Sequence, residues 1–235
     1  MSKRSLDLSL IALTVAFLVF VVVFNEDPGV RVALFGDVLP ETTWHAKAIY
    51  KALYDIGMGG LVSVLFYLLL VRIPENSKRR RIRRSLEVQF RRFKQDCLYV
   101  MLGTVNGSID PRLADELLDQ KAFRSYFKGK ATATQDRWDV FLNNIDENEL
   151  SQILRSMEIL REEINFALGA TDVPTDDAFN FLKRLSIASH SLQRTELGYD
   201  TIKPLSGFLW TLFSGFDIIS GYQEEDVFEK MIRSI

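Results

Sequence analysis

Residues 56–85 read IGMGGLVSVLFYLLLVRIPENSKRRRIRRS, and the fold turns on how the two halves of this stretch are joined. The first half, Ile56–Val71, carries no charge. The second places six cationic side chains in the seven positions Lys78–Arg84. A helix rises ~1.5 Å per residue, so Ile56–Val71 covers about 24 Å, which Leu53, Tyr54 and Ile73 extend toward the ~30 Å of a hydrocarbon core. A cationic run directly behind an apolar one is the mark of a membrane segment held with that end in the cytoplasm.

Working outward, Leu8–Phe24, LSLIALTVAFLVFVVVF, is a second charge-free run, with Leu6 extending it. Lys3 and Arg4 precede it as in a signal peptide. The run closes with VVVFNEDPG, however, where small residues of a cleavage site would be required, so it reads as a retained anchor. The connection carries Arg31, Lys47 and Lys51 dispersed along its length, whereas Arg72 and Lys78–Arg84 crowd behind the second run. The positive-inside rule therefore predicts a hairpin with both termini cytoplasmic: spans over about 6–24 and 54–72, and an external connection over 25–53. That connection holds a possible extended piece, VRVALFGDVLP, and then a helical lead-in, ETTWHAKAIYKALYD, whose Trp44, Tyr50 and Tyr54 suit an interface.

The chain has 235 residues and a formal net charge of −2, a total that conceals two opposed halves. Residues 72–94 hold ten Lys/Arg against two Glu, a net of +8, and residues 95–235 hold 14 Lys/Arg against 23 Asp/Glu, a net of −9. A cationic collar can bind anionic headgroups at ~1 kcal/mol per charge. The acidic remainder argues against direct nucleic-acid binding, because phosphate contacts need clustered Lys and Arg.

Beyond the collar the apolar period is that of helices. Leu86, Phe90, Phe93, Cys97 and Val100 form one seam. Short helices are predicted over 111–120 and 121–127, and another over 135–145. Asp146 with Glu149 forms a capping signal before a stripe of Leu150, Ile153, Leu154, Met157, Ile164 and Leu168. Pro174 and Thr175 open the next helix, with Phe181, Leu182, Leu185, Ser189 and Leu192 on one face. Leu205–Tyr222, LSGFLWTLFSGFDIISGY, holds one charge and reads as a buried helix or helical hairpin. The expected fold is all-α: residues 1–72 a membrane hairpin, and residues 73–235 a basic juxtamembrane helix with a cytosolic helical bundle.

No catalytic, nucleotide-binding or zinc-protease motif is present, and the lone Cys97 excludes an intrachain disulfide. The composition calls for no cofactor and no metal. On each apolar run one pair of small residues stands four apart, Ala12 with Ala16 and Gly59 with Ser63, where helices can approach closely in lipid.

Two apolar spans, the collar of Arg72, Lys78, Arg79, Arg80, Arg81, Arg83 and Arg84, and a helical remainder resemble the two-helix membrane effectors of bacterial antiviral systems linked to retrons or cyclic-nucleotide signalling. The resemblance lies in architecture over residues 1–85. It implies an inner-membrane protein that oligomerises and disrupts the membrane once residues 86–235 are triggered by a protein or nucleoprotein regulator. A membrane-anchored adaptor without catalysis fits the same layout. A second resemblance is local. Arg184-Leu-Ser-Ile-Ala-Ser-His190 is similar to the R-x(4–6)-H pattern of HEPN ribonucleases, which are also helical bundles, and implies Arg184 and His190 as a nuclease pair. Leu185 stands where that family favours a polar residue.

Overall fold

The computed structural model describes residues 3–24, 44–173, 175–217 and 221–235. The extended piece expected near residues 30–40, the helix-opening Pro174 and residues 218–220 of the expected hairpin lie outside them. The chain divides into two compact units, Met1–Ser77 and Lys78–Ile235.

In the first unit, helix α1 (Lys3–Val23) packs along α2 (Trp44–Tyr67), which a π-helical turn (Leu68–Arg72) follows before α3 (Ile73–Asn106) begins. Both apolar helices are free of interior proline. Their hydroxyls turn back on their own backbone, Thr14 Oγ1 donating to the Leu10 carbonyl at 2.7 Å and Ser63 Oγ to that of Gly59 at 2.8 Å. A hydroxyl satisfied in this way needs no water. The two helices are antiparallel, since Phe24 meets Tyr50 edge to face at 5.2 Å while Phe20 and Phe17 lie beside Gly57 and Gly60. A methyl on Gly57 would come within 3.0 Å of Phe20 and Val21, and one on Gly60 within 2.5 Å of the Phe17 ring. Absence of a side chain at these two positions is what lets the helices close.

Among the described residues one helical run is long and apolar enough to cross a membrane, Ala48–Asn106, and only 11% of its most apolar stretch is buried. A soluble core helix would bury most of such a stretch. The apolar part of α1, Leu8–Val23, is shorter than the span expected over 6–24 and covers about 24 Å.

The second unit is an all-α bundle. Helix α3 supplies its central seam: Leu86, Phe90, Phe93 and Cys97 are buried, with Leu98, Met101 and Leu102 beyond them. Val100, expected on this seam, is only half-buried. Then follow α4 (Pro111–Glu116), α5 (Gln120–Lys128), α6 (Arg137–Asn144), α7 (Glu147–Ala170), α8 (Asp176–Leu192), α9 (Tyr199–Ser214) and α10 (Val227–Arg233). Aspartates start most of them. Asp110, Asp119, Asp136, Asp146 and Asp226 each accept bonds from first-turn amides, satisfying donors that the helix leaves orphaned. At α7 the expected capping box forms, Asp146 taking the Glu149 amide at 2.7 Å and Glu149 returning a bond to the Asp146 amide at 3.0 Å.

Helices α7 and α8 pair antiparallel, tied by Ser186 Oγ to Asn165 Oδ1 at 2.6 Å and by Gln193 to the Leu154 carbonyl at 3.2 Å. The aromatic centre of the unit joins α5, α6 and α9. Phe123 lies 5.2 Å from Phe213, 5.7 Å from Trp210 and 6.0 Å from Trp138, ring centre to ring centre. Burying the Phe123 and Phe213 rings contributes ~2–3 kcal/mol each by removing apolar surface from water, with Trp138 and Trp210 half-buried against them.

Leu205–Tyr222 is partly the helix expected of it. Leu205, Leu209 and Phe213 of α9 are buried, and the helix stops at Gly215, whose φ of 64° is the left-handed geometry glycine adopts without strain. Among the described residues of this segment no second helix of a hairpin follows. Strands β1 (Phe216–Asp217) and β2 (Gly221–Tyr222) pair antiparallel instead, with the Phe216 and Tyr222 rings 5.1 Å apart.

Candidate functional site

The first candidate surface belongs to the apolar pair α1–α2. Gly57 and Gly60 face α1, whereas nothing approaches within 4 Å of a methyl built on Gly59. Ser63, one turn on, is exposed, and so are Ala12 and Ala16 on α1. The four small residues singled out in the sequence therefore point away from the internal seam. The seam is made by Gly57 and Gly60 with Phe17, Phe20 and Val21, residues that a small-xxx-small search does not select because their spacing is three.

The second surface is the cationic side of α3. Ile82, Leu86 and Phe90 face the core, and Lys78, Arg80, Arg81, Arg84, Arg91 and Arg92 are exposed. Arg79 and Arg83 are half-buried, as is Arg72 in the preceding unit. The six exposed cations form no ion pair among the described residues, and neighbours at i,i+3 and i,i+4 such as Arg80, Arg81 and Arg84 repel one another by a few tenths of a kcal/mol per pair. An anionic partner would relieve that repulsion.

A polar cavity of about 530 Å³ opens between α3, the start of α5 and α10, with Arg91, Lys94, Asp119, Glu224, Asp226 and Glu229 on its walls. Lys94, 3% exposed, donates to the Leu118 carbonyl at 2.9 Å and to Asp226 at 3.2 Å, and sits 5.5 Å from the Phe90 ring centre. Sequence reading had no means to find this pair, whose members stand 132 residues apart.

Arg184 and His190 are both exposed on α8, and neither borders that cavity. A hydrogen bond from Arg161 holds the Glu158 carboxyl below its usual range, with the His190 charge adding a smaller contribution. Cys97 is fully buried, and burial, reinforced by Asp96, pushes its thiol well above the ordinary range. Among the described residues no group of three or more His, Cys, Asp or Glu could hold a metal ion.

These features define an all-α protein with an apolar helix long enough for a bilayer and an outward cationic helix face. No protein family, curated protein or solved structure matches the chain.

Proposed function

We propose that the chain is a non-enzymatic effector of the bacterial inner membrane, in which α1 and α2 form a two-span hairpin with both termini cytoplasmic. Several copies associate through the spans and breach the bilayer when the helical unit is triggered, in keeping with a role in antiviral defence. The observation that carries this reading is the split between glycines three residues or fewer apart. Gly57 and Gly60 are filled by α1, while Gly59 and Ser63, with Ala12 and Ala16, leave a small-residue surface open for another copy. Two wholly apolar helices cannot line a water path alone, so permeabilisation requires such association. The collar Arg72 and Lys78–Arg84 sets orientation and holds headgroups.

The test is inducible expression in bacteria, with membrane potential followed by a voltage-sensitive dye. Wild type should depolarise the cells, and Gly59→Leu should abolish depolarisation with expression and insertion unchanged. Full depolarisation by Gly59→Leu, together with monomers only on cross-linking, overturns the reading. No depolarisation by wild type, alone or with its genomic neighbours, leaves the adaptor. Orientation is read by thiol labelling of Gly36→Cys from outside and of Ser125→Cys only after permeabilisation. Ser125 is exposed, whereas a methyl on neighbouring Gly129 would meet Arg137 at 2.5 Å.

A further inference from the structure

The N-terminal part of α7 borders a groove that the bundle leaves open. It has a volume of about 640 Å³ and runs between α7 and the segment 193–197 that leaves α8. On the α7 side Leu150, Leu154, Glu158 and Glu162 recur at every fourth position, one stripe along the helix, with Ile159 beside it. At ~1.5 Å per residue the stretch from Glu147 to Glu162 is about 22 Å long. The floor is apolar. Leu150 is buried and Leu154 half-buried, while Ile159 and Leu197 are 43% and 41% exposed.

Both walls are fixed by the chain itself. The Gln193 side chain donates to the Leu154 carbonyl at 3.2 Å. Thr195 donates to the Leu192 carbonyl from its amide at 3.0 Å and from its hydroxyl at 2.7 Å, and the Glu196 carbonyl accepts from Thr201 Oγ1 at 2.8 Å. With these polar groups satisfied inside the chain, Leu197 is left to the groove. A preformed apolar channel of this kind is what a binding surface needs, because little ordering is left to be done on association.

The rim is acidic. Glu147, Glu158, Glu162 and Glu196 border the groove, and Arg155 is the cation among its lining residues. Glu158 is held by Arg161, whereas Glu147 and Glu196, on opposite walls, form no ion pair among the described residues. An apolar channel of this length between carboxylates fits an amphipathic helix whose apolar stripe is flanked by Lys and Arg. Other occupants fit less well. Anionic headgroups would meet four carboxylates. Helix α3 of a second copy has its apolar face, Leu86, Phe90 and Phe93, buried in its own bundle, so it brings charges and no ridge for the floor.

We propose that this groove is the docking site of a separate protein, which enters it with a cationic amphipathic helix. The groove lies in the second unit, so docking stands or falls independently of the two-span reading; where both hold, the docked protein is a trigger of the helical unit. The test titrates the full-length chain, in phosphatidylcholine nanodiscs, into a fluorescent helical peptide of about 15 residues, the length of the groove, with leucine at i, i+3, i+4 and i+7 and lysine elsewhere. Anisotropy should rise above that seen with empty discs. A peptide of the same composition with its leucines scattered around the helix should bind at least tenfold more weakly, and so should one with glutamate in place of lysine.

On the chain, Ile159→Ser with Leu197→Ser, and separately Glu147→Lys with Glu196→Lys, should each weaken binding at least tenfold, the second effect shrinking as salt is added. All four residues are exposed, so the core does not depend on them. Ile187→Ser, at a residue 60% exposed outside the groove, should bind as wild type does. Equal binding of the patterned and scattered peptides, full binding by either pair of variants, or an equal loss in Ile187→Ser overturns the proposal. Self-association of the full chain that Leu197→Ser abolishes would make a second copy the occupant, and binding of anionic vesicles that Leu197→Ser abolishes would make it lipid; either result overturns the proposal as well.

Discussion

On the proposed two-span reading, the two units solve opposite solvent problems with the same residue types. Leucine and valine face outward on α1, on α2 and on the π-helical turn after it, Leu70 in that turn being 71% exposed, whereas Leu86 and Leu98 of the bundle are at 0%. Polar groups differ in the same sense. The apolar helices satisfy Thr14 and Ser63 on their own carbonyls, while the bundle spends aspartates on helix starts that water also reaches. Close packing inside the pair comes from missing side chains, at Gly57 and Gly60, and inside the bundle from large ones, at Phe123 and Phe213. In lipid there is no hydrophobic gain between helices and proximity must come from small residues, while in water apolar area itself drives the core.

The comparison breaks first at its largest effect. Phe123→Ala should cost the bundle ~3–5 kcal/mol in denaturant unfolding, by lost burial and the cavity left among Trp138, Trp210 and Phe213. Leu70→Ala should change that same transition by less than about 0.5 kcal/mol, since Leu70 has no core to leave. Equal losses would show that the apolar helices pack in water as a core does.

A smaller effect sharpens the glycine argument. Gly60→Leu should loosen the α1–α2 pair by ~1–3 kcal/mol, because even a methyl there meets the Phe17 ring at 2.5 Å. The ring is movable, so Phe17→Ala on top of Gly60→Ala should recover most of the loss. Cross-linking between engineered cysteines on α1 and α2 reads both. Gly59→Leu should leave this intrachain cross-link intact, which separates the seam from the open face.

Proton linkage gives a third test, in the bundle alone. The Cys97 thiol is raised in the folded state, so its neutral form is the one that folding favours. Stability from this group is complete below the unfolded thiol value near 8.5 and falls as pH rises beyond it, by up to ~1.4 kcal/mol per unit. Unfolding midpoints at pH 7.5 and 9.5 should differ by more in wild type than in Cys97→Ala. Iodoacetamide should also label Cys97 only in denaturant. Rapid labelling of the native chain would place the thiol outside the core.

How much of this was legible follows the range of the interaction. The seam Leu86–Phe90–Phe93–Cys97, the Asp146–Glu149 cap and the buried face of α9 are set by neighbours within four residues, and their periodicity announces them. The phase of the apolar helices was not legible. From Ile56 to Tyr67 every residue of α2 is apolar or small, so no periodicity tells Gly57 and Gly60 from Gly59, and the internal seam appears only when α1 is laid against it. Lys94 looked like one more cation of the collar. Its burial depends on Leu118 and Asp226, which the sequence does not bring near. The helix or helical hairpin expected over residues 205–222 ends early because Gly215 takes a left-handed conformation, whereas Gly207 of the preceding Ser-Gly pair continues the helix.

The smallest effect on the fold is the one that most sharpens the contrast between the units. Arg80, Arg81 and Arg84 are exposed and form no ion pair among the described residues, so Gln at all three should alter bundle unfolding by no more than about 0.5 kcal/mol, and could even stabilise α3 by removing i,i+3 and i,i+4 repulsion. At a lipid surface the same three charges are worth ~1 kcal/mol each. A peptide of residues 73–92 titrated with vesicles should therefore bind anionic lipid more tightly than its triple-Gln counterpart by roughly two orders of magnitude at low salt, and the gap should shrink as salt is added. Orientation should survive the change, because Arg72, Lys78, Arg79 and Arg83 remain behind the apolar run. A triple-Gln bundle that unfolds several kcal/mol more easily, with vesicle binding unchanged, would mean that these arginines serve the core and not a surface. The cationic face would then have to be reassigned to the interior logic of the second unit.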